Sequence, residues 1–483
     1  MLFNSIDFAF FLPIVFLLYW FVFRKSLKYQ NLFLVAASYV FYGWWDYRFL
    51  ALILFSTCID YYVGRSLSKT DVLKRRKLLL WVSIIVNLGF LGVFKYYNFF
   101  VDNFVSAFSF FGSSIQPNTL DIILPVGISF YTFQTLSYTI DVYRKKLDHS
   151  KDFISFAAFV SFFPQLVAGP IERATNLLPQ FYKSRKFDYD KAVDGLRQIL
   201  WGLFKKMVIA DNCANFANQI FANSEDYSGS TLFLGALFFT FQIYGDFSGY
   251  SDIAIGTSRL FGFNLRQNFA FPYFSRDIAE FWRRWHISLS TWFRDYLYIP
   301  LGGSRGGTWM KIRNTFIIFI VSGFWHGANW TFIVWGFLNA LYFLPLLLAK
   351  RNRNHMEVIA VDSWVPNFRE LGGMALTFFL TVIAWVFFRA ENISHAIQYI
   401  GDMMSLDLFS IPEYSLRKDM YPIGLLLVFF ILVEWIGRKG QFAIEFLQHK
   451  KARPLKWAFY TLIIFLIGMY METDETPFIY FQF

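Results

Sequence analysis

Apolar stretches long enough to cross a lipid bilayer recur from one end of this chain to the other, and that repetition excludes most folds at once. A span needs about 20 residues of helix. Of the 483 residues, 56% are hydrophobic and 22% aromatic, whereas a soluble protein of this size needs far more polar surface. The reading is an all-α polytopic membrane protein. Segments that could span lie near 8–23, 30–45, 49–64, 77–94, 122–140, 195–212, 231–250, 314–325, 330–349, 373–388, 421–437 and 457–471. The run 195–212 is the most interrupted, by Arg197, Lys205 and Lys206.

Charge orders these segments. Forty-five basic residues against 34 acidic ones give +11. The basic residues sit in alternate loops, as the positive-inside rule requires, and no recognition motif accompanies them, which argues against nucleic-acid binding. Arg24, Lys25 and Lys28 follow the first apolar run instead of preceding it. That run is therefore not a cleavable signal, and the loop after it lies inside. Loops 65–77 and 144–151 and the stretch Arg438–Lys456 are likewise cytoplasmic. Loop 95–121, whose single basic residue is Lys95, and the acidic tail with Glu472, Asp474 and Glu475 lie outside. This predicts a multi-pass cytoplasmic (inner) membrane protein with both termini outside. No repeat or soluble domain interrupts 1–483, which reads as one domain.

Two stretches depart from simple spans. Segment 153–170 ends in Phe162-Phe-Pro-Gln-Leu-Val-Ala-Gly-Pro170. Its prolines remove backbone donors and break helices, so a re-entrant or broken helix is expected, tolerable only where protein or a cavity surrounds it. The basic, tryptophan-rich stretch 259–313 is expected at the cytoplasmic face as helices lying at the headgroup level.

Six histidines offer chemistry, and four lie in loops or beside charges. His326 is different: it sits in Val321-Ser-Gly-Phe-Trp-His-Gly-Ala-Asn-Trp330, between uncharged apolar runs. An ionisable group within a membrane segment is costly and functional by default. If the helix continues, His326 shares a face with Asn329 and Trp330; the bland alternative is a histidine bonding a neighbouring helix. His286 lies in Glu280-Phe-Trp-Arg-Arg-Trp-His-Ile-Ser-Leu-Ser-Thr-Trp292. As one helix, Trp282, Trp285, Leu289 and Trp292 form an apolar stripe, and Arg283, His286 and Ser290 a polar one. Interfacial anchoring with snorkelling arginines is favoured there over a cationic wall for an anionic donor. A third cluster, Tyr244-Gly-Asp-Phe-Ser-Gly-Tyr-Ser-Asp252, places Asp246 and Tyr250 on one face, lining a polar passage or orienting buried arginines; for Asp252 the second role is favoured.

Cys58 and Cys213 form neither a disulfide framework nor a metal site, and Cys213 reads as a small buried residue rather than an acyl-carrying nucleophile. Two functions remain. In a proton-coupled transporter His326 would relay protons with Asp60, Asp141, Asp246 and Glu434. In an acyltransferase it would take the proton of an attacking hydroxyl, which neutral imidazole suits. No nucleophile elbow or Walker loop is present, which argues against a hydrolase or an ATP-driven pump. These residues alone put the transporter slightly ahead.

Motif order reverses that balance. Phe41-Tyr-Gly-Trp-Trp45, Leu124-Pro-Val-Gly-Ile-Ser-Phe-Tyr-Thr-Phe-Gln134, Phe162–Pro170, Gly202-Leu-Phe-Lys-Lys206, Asp246–Asp252, Trp285-His-Ile-Ser-Leu-Ser290, Phe293–Gly303 and Phe324-Trp-His-Gly-Ala-Asn-Trp330 together resemble the membrane-bound O-acyltransferase (MBOAT) family, strongest over 41–390. The resemblance is to the bacterial branch that O-acetylates alginate or D-alanylates teichoic acid. It implies about 11–13 membrane helices in a ring around a central tunnel, with interfacial and re-entrant helices. It implies a thioester donor, acyl-CoA or an acyl carrier protein, arriving from the cytoplasm, with no permanently bound cofactor and no metal. It implies a polysaccharide acceptor on the outer side, reached through an exported acetyltransferase-type partner, with membrane lipids around the whole. By that likeness His326 is the base, His286 and Asn329 orient groups or stabilise the oxyanion, and Asp246, Tyr250, Arg283 and Ser290 are tunnel or donor-side candidates. Acetyl transfer is expected; D-alanyl transfer is the alternative within the family, a transporter or scaffold outside it. The run 314–325 would rise only about 18 Å as a helix, placing His326 within the membrane.

Overall fold

The computed structural model describes residues 1–110, 119–120, 123–167, 169–449, 452–472 and 478–479, and all their regular structure is helical. Among the described residues five runs are long and apolar enough to cross a membrane: Tyr47–Ser68, Leu73–Phe110, Trp330–Leu348, Phe368–Arg389 and Met420–Gly437. The chain groups into two compact units, the first of residues 1–192 with 257–266, the second of 193–256 with 267–483.

The first unit holds α1 (Ile6–Leu17), α2 (Leu27–Gly43), α3 (Leu50–Ser68), α4 (Leu73–Leu91), α5 (Tyr97–Phe110), α6 (Ile128–Tyr143), α7 (Phe153–Ser161), α8 (Phe163–Leu166) and α9 (Ala174–Leu177). Its core is α6, buried along nearly its whole length and packed on α3 and α4. There Asp60 of α3 accepts from Ser83 and Asn87 of α4 and from Thr139 of α6 at 3.0 Å. The carboxylate expected as a proton station thus spends its lone pairs tying three helices together. The expected outer loop 95–121 is helical over Tyr97–Phe110, because no glycine or proline stops the run; 111–118 lie outside the described residues. The span expected at 122–140 begins only at Ile128, since Pro125 disfavours helix before it and Gly127 turns the chain at φ +74°; 121–122 also lie outside the described residues. The segment 153–170 is a broken helix as read: α7 stops at Phe162, α8 restarts across Pro164, and both are buried.

The second unit takes in most of α10 (Tyr189–Leu203) and α12 (Gly229–Leu260), with α11 (Asp211–Ala222), α13 (Ile278–Arg284), α14 (Ile287–Phe293), α15 (Thr308–His326), α16 (Trp330–Leu348), α17 (Phe368–Arg389), α18 (Ile393–Met403), α19 (Tyr414–Gly437) and α20 (Arg453–Tyr470). Between α10 and α11 the chain stays helical through a π-helical run, Phe204–Ala210. α15 starts six residues before the expected 314–325, with Lys311 and Arg313 inside its first turns. At 1.5 Å per residue it is about 28 Å long rather than 18 Å. That length overturns the depth argument for His326, which stands at the helix end.

α15 and α16 form the tightest hairpin of this unit. A Cβ at Gly323 would collide with the Phe332 carbonyl, and one at Gly336 with that of Phe319. Gly323→Val should therefore lower stability by about 1–3 kcal/mol, the usual cost of overpacking. Gly372→Ala in α17, where nothing lies within 4 Å, should be neutral or better; thermal unfolding of the two purified variants checks both.

Candidate active site

His326 closes α15, 2% exposed, in an aromatic cage. Ring centroids of Trp325, Trp335 and Phe388 lie 5.0, 5.1 and 5.3 Å away. Gly327 then leaves the helix in an extended conformation, φ −161°. The expected shared face with Asn329 and Trp330 therefore does not form. Asn329 instead caps α16, accepting from the Thr331 amide at 3.0 Å, while its Nδ2 donates to the Glu391 carbonyl at 2.8 Å. Both ends of that amide are committed to structure, and Trp330 is half exposed.

His286 also lies near Trp325, whose ring is 6.1 Å from it and 5.0 Å from His326. The single helix expected here is broken: Trp285 is extended and His286 occupies the left-handed region at φ +43°, so α13 and α14 meet at a buried corner. Trp285 is buried against Trp385 and Phe269, each 5.0 Å away, rather than anchoring at an interface. The arginines are also tied inward. Arg276 and Arg284 both pair with buried Glu280. Arg283 donates to the carbonyls of Asn352 and His355, at 2.7 Å each. Arg283 is a strap on the 352–355 loop, not a cationic wall.

The His286 tautomer follows from its partners. Asn268 donates its Nδ2 to Ser251 at 3.1 Å, so its Oδ1 faces His286 Nδ1 at 3.0 Å and accepts also from the Ser288 hydroxyl. Nδ1 carries the proton and Nε2 the lone pair, and among the described residues Nε2 has no hydrogen-bond partner. Burial pushes the imidazolium pKa down to about 3. His286 is thus a neutral ring offering one acceptor nitrogen. Asn268 was missed by sequence reasoning; a lone amide in 259–313 carries no spacing signal.

The third cluster orients lysines, not arginines. Lys205 pairs with Asp252 at 2.6 Å, and Lys206 with Asp246 at 2.9 Å and Asp211 at 2.6 Å, all buried. Gln198 adds a 2.7 Å bond to Asp252. Close backbone approach permits this, since a Cβ at Gly249 would lie 2.8 Å from the Gly202 carbonyl oxygen. Tyr250 is buried with its ring 5.7 Å from the Lys206 nitrogen. Beside it the Phe478 ring packs tilted at 4.6 Å, and the Ile479 amide donates to Asp246 at 2.7 Å. Glu434 accepts from Trp201 and Tyr244 at 3.0 and 2.6 Å.

Ser290 opens on a cavity of about 260 Å³ that also takes in Arg294, Arg353, Phe319, Phe343 and Ser322. Ser322 lies one helical turn before His326. Trp282 walls the cavity, and its ring centroid lies 5.6 Å from Trp335, which touches His326. Cations and apolar rings in one cavity suit a ligand with an anionic end and an apolar body. Among the described residues no three His, Cys, Asp or Glu side chains gather as metal ligands would.

Residues 143–368 match the membrane-bound O-acyltransferase family. The probable alginate O-acetylase AlgI of Pseudomonas aeruginosa is 41% identical over 456 residues, covering 93% of this chain and 84% of that protein. The chain belongs to the membrane-bound O-acyltransferase family. Within that family it is also similar to a peptidoglycan O-acetyltransferase of Helicobacter pylori, 36% identical over 86% of this chain and 82% of that protein. A teichoic acid D-alanyltransferase of Bacillus subtilis is more distant, 27% identical over 57% of this chain and 71% of that protein. This MBOAT chain is an O-acyltransferase and a multi-pass membrane protein, and the transporter reading falls.

Two outcomes follow from the site. With its folded pKa depressed from about 6.5, His286 contributes stability that is fully present above pH 6.5 and lost as pH falls toward 3. His286→Gln should flatten the dependence of melting temperature on pH between 6.5 and 5 relative to wild type. Lys206→Met should cost about 3–5 kcal/mol, because it leaves buried carboxylates without a counter-charge. Adding Asp246→Asn should recover part of that loss in the same melting assay.

Proposed function

We propose that this enzyme moves an acetyl group from a cytoplasmic thioester, acyl-CoA or an acyl carrier protein, to a hydroxyl of a polysaccharide outside the inner membrane, working through an exported acetyltransferase-type partner. Both termini face outward in this reading. The observation that carries it is that two buried imidazoles both lie beside Trp325, with an amphipathic cavity that reaches Ser322, one turn before His326. The names of the relatives support acetyl over D-alanyl: the acetyl-transferring proteins match more of this chain, at higher identity.

In this mechanism His326 accepts the proton of the acceptor hydroxyl as its oxygen attacks the thioester carbonyl. The carbon–sulfur bond then breaks, and the leaving thiolate takes the proton back from the imidazolium. Protons balance, and the enzyme returns unchanged. His286, neutral and with Nδ1 fixed by Asn268, accepts at Nε2 from the second polar group of the acceptor and so positions it. The cavity carrying Arg294 and Arg353 receives the donor, its cations facing the donor's phosphates and its phenylalanines the arm that leads to the thioester. Asn329, spent on its cap, plays no part in the oxyanion.

General-base help is worth roughly 10²–10⁴ in rate. His326→Ala should lose that much acyl transfer from a labelled acetyl thioester while inserting into the membrane normally. Activity retained within a few-fold would remove the base assignment, and a D-alanyl thioester outpacing acetyl would select the alternative donor.

A further inference from the structure

The first unit carries a concentration of positive charge that acyl transfer does not use. α1 exposes Phe10, Ile14 and Leu17, and its π-helical continuation Leu18–Val22 exposes Phe21 at 74%. Arg24 and Lys25 follow directly. Phe16, Trp20, Phe21 and Phe187 line a cleft of about 520 Å³ together with Arg24, Lys25, Arg185 and Lys186, and the Phe187 ring packs on Phe16 and Trp20 at 5.9 and 5.6 Å. Trp20, Arg185 and Lys186 are shared with a second cleft of about 650 Å³, which adds Lys183, Lys191 and Arg259. The carboxylate lining these walls, Asp188, already pairs with Lys191 at 3.5 Å.

Arg185 is a fixed part of this wall. Its guanidinium donates to Asn31 Oδ1 at 2.6 Å and Gln30 Oε1 at 3.0 Å, and lies 4.8 Å from the centroid of Phe263. These partners hold the planar fork in place without cancelling its charge, the condition under which arginine recognises phosphate well.

We propose that this cleft binds an anionic phospholipid, its phosphate head group on Arg24, Lys25, Arg185 and Lys186 and one acyl chain along Phe16, Phe21 and Phe187. The two halves of the cleft decide the occupant. A soluble phosphate ligand would use the cations alone, whereas a phospholipid also occupies the aromatic side of the cleft, part of which belongs to the first expected span. The orientation proposed above puts Arg24 and Lys25 at the cytoplasmic surface, where anionic lipids attract basic residues next to a span. The inference rests on that orientation and not on the roles of His326 or His286, so the lipid experiment and the acyl-transfer experiment fail separately.

The test is native mass spectrometry of the full-length protein in detergent, titrated with phosphatidylglycerol or with phosphatidylcholine of the same chains. Wild type should retain phosphatidylglycerol preferentially, and coenzyme A or inorganic phosphate should not displace it. Arg24→Gln with Lys186→Gln removes two exposed cations and should weaken phosphatidylglycerol binding by about tenfold to thirtyfold. Arg24→Lys with Lys186→Arg should keep it, which separates lost charge from misfolding. Equal retention of the two lipids, unchanged binding in the double glutamine variant, or displacement by coenzyme A or phosphate would each overturn the proposal.

Discussion

The second unit depends on three buried carboxylates finding two buried lysines. Lys205 and Lys206 emerge from the π-helical run Phe204–Ala210, and Asp246 and Asp252 from the middle of α12. These charges are almost wholly buried, and leaving any one unpaired is far costlier than the pair is favourable. The pairing therefore fixes the rotation and depth of α12. Two side chains from that same helix then set His286: the Phe247 ring lies 4.6 Å from the imidazole, and Ser251 holds the amide of Asn268 that in turn holds Nδ1. Charge buried in one place thus dictates which nitrogen is basic in another.

This chain of dependence separates what could be read in the sequence from what could not. Helix positions were legible because apolar length is a local property; α2, α16 and α17 fall within a few residues of the expected segments. The break at Phe162 was legible because Pro164 acts on its own neighbours. The corner at Trp285–His286 was not. Nothing in Trp-Arg-Arg-Trp-His forbids a continuous helix, and the left-handed turn is held by tertiary partners: the Asn268 carbonyl accepts from the Ile287 amide, and the Ala270 amide donates to the Arg284 carbonyl. The extended exit at Gly327 was missed for a related reason: helical spacing was assumed to run through a glycine that ends it.

The lysine–aspartate pairing lay within reach. The sequence reading takes Lys205 and Lys206 as interruptions of an apolar run and part of a family motif, and Asp246 and Asp252 as lining a passage or orienting arginines, without joining the two sets. Two cations in one hydrophobic segment and two acids in the next of the same unit are better explained by each other than by anything distant, because an uncompensated charge there is so expensive. Both histidines stand out in the sequence, yet their difference from each other comes from geometry. His326 ends a helix inside an aromatic cage, while His286 is a neutral acceptor held at a corner.

An acyl group that leaves a donor on one side of a membrane and appears on an acceptor at the other gives the central claim its sharpest consequence. Proteoliposomes with the enzyme in one orientation, labelled acetyl thioester outside and a soluble carbohydrate acceptor with the exported partner inside, measure this directly. The account predicts label on the enclosed acceptor, dependent on His326, with the thioester itself remaining outside. Label found only when donor and acceptor share a compartment would contradict it.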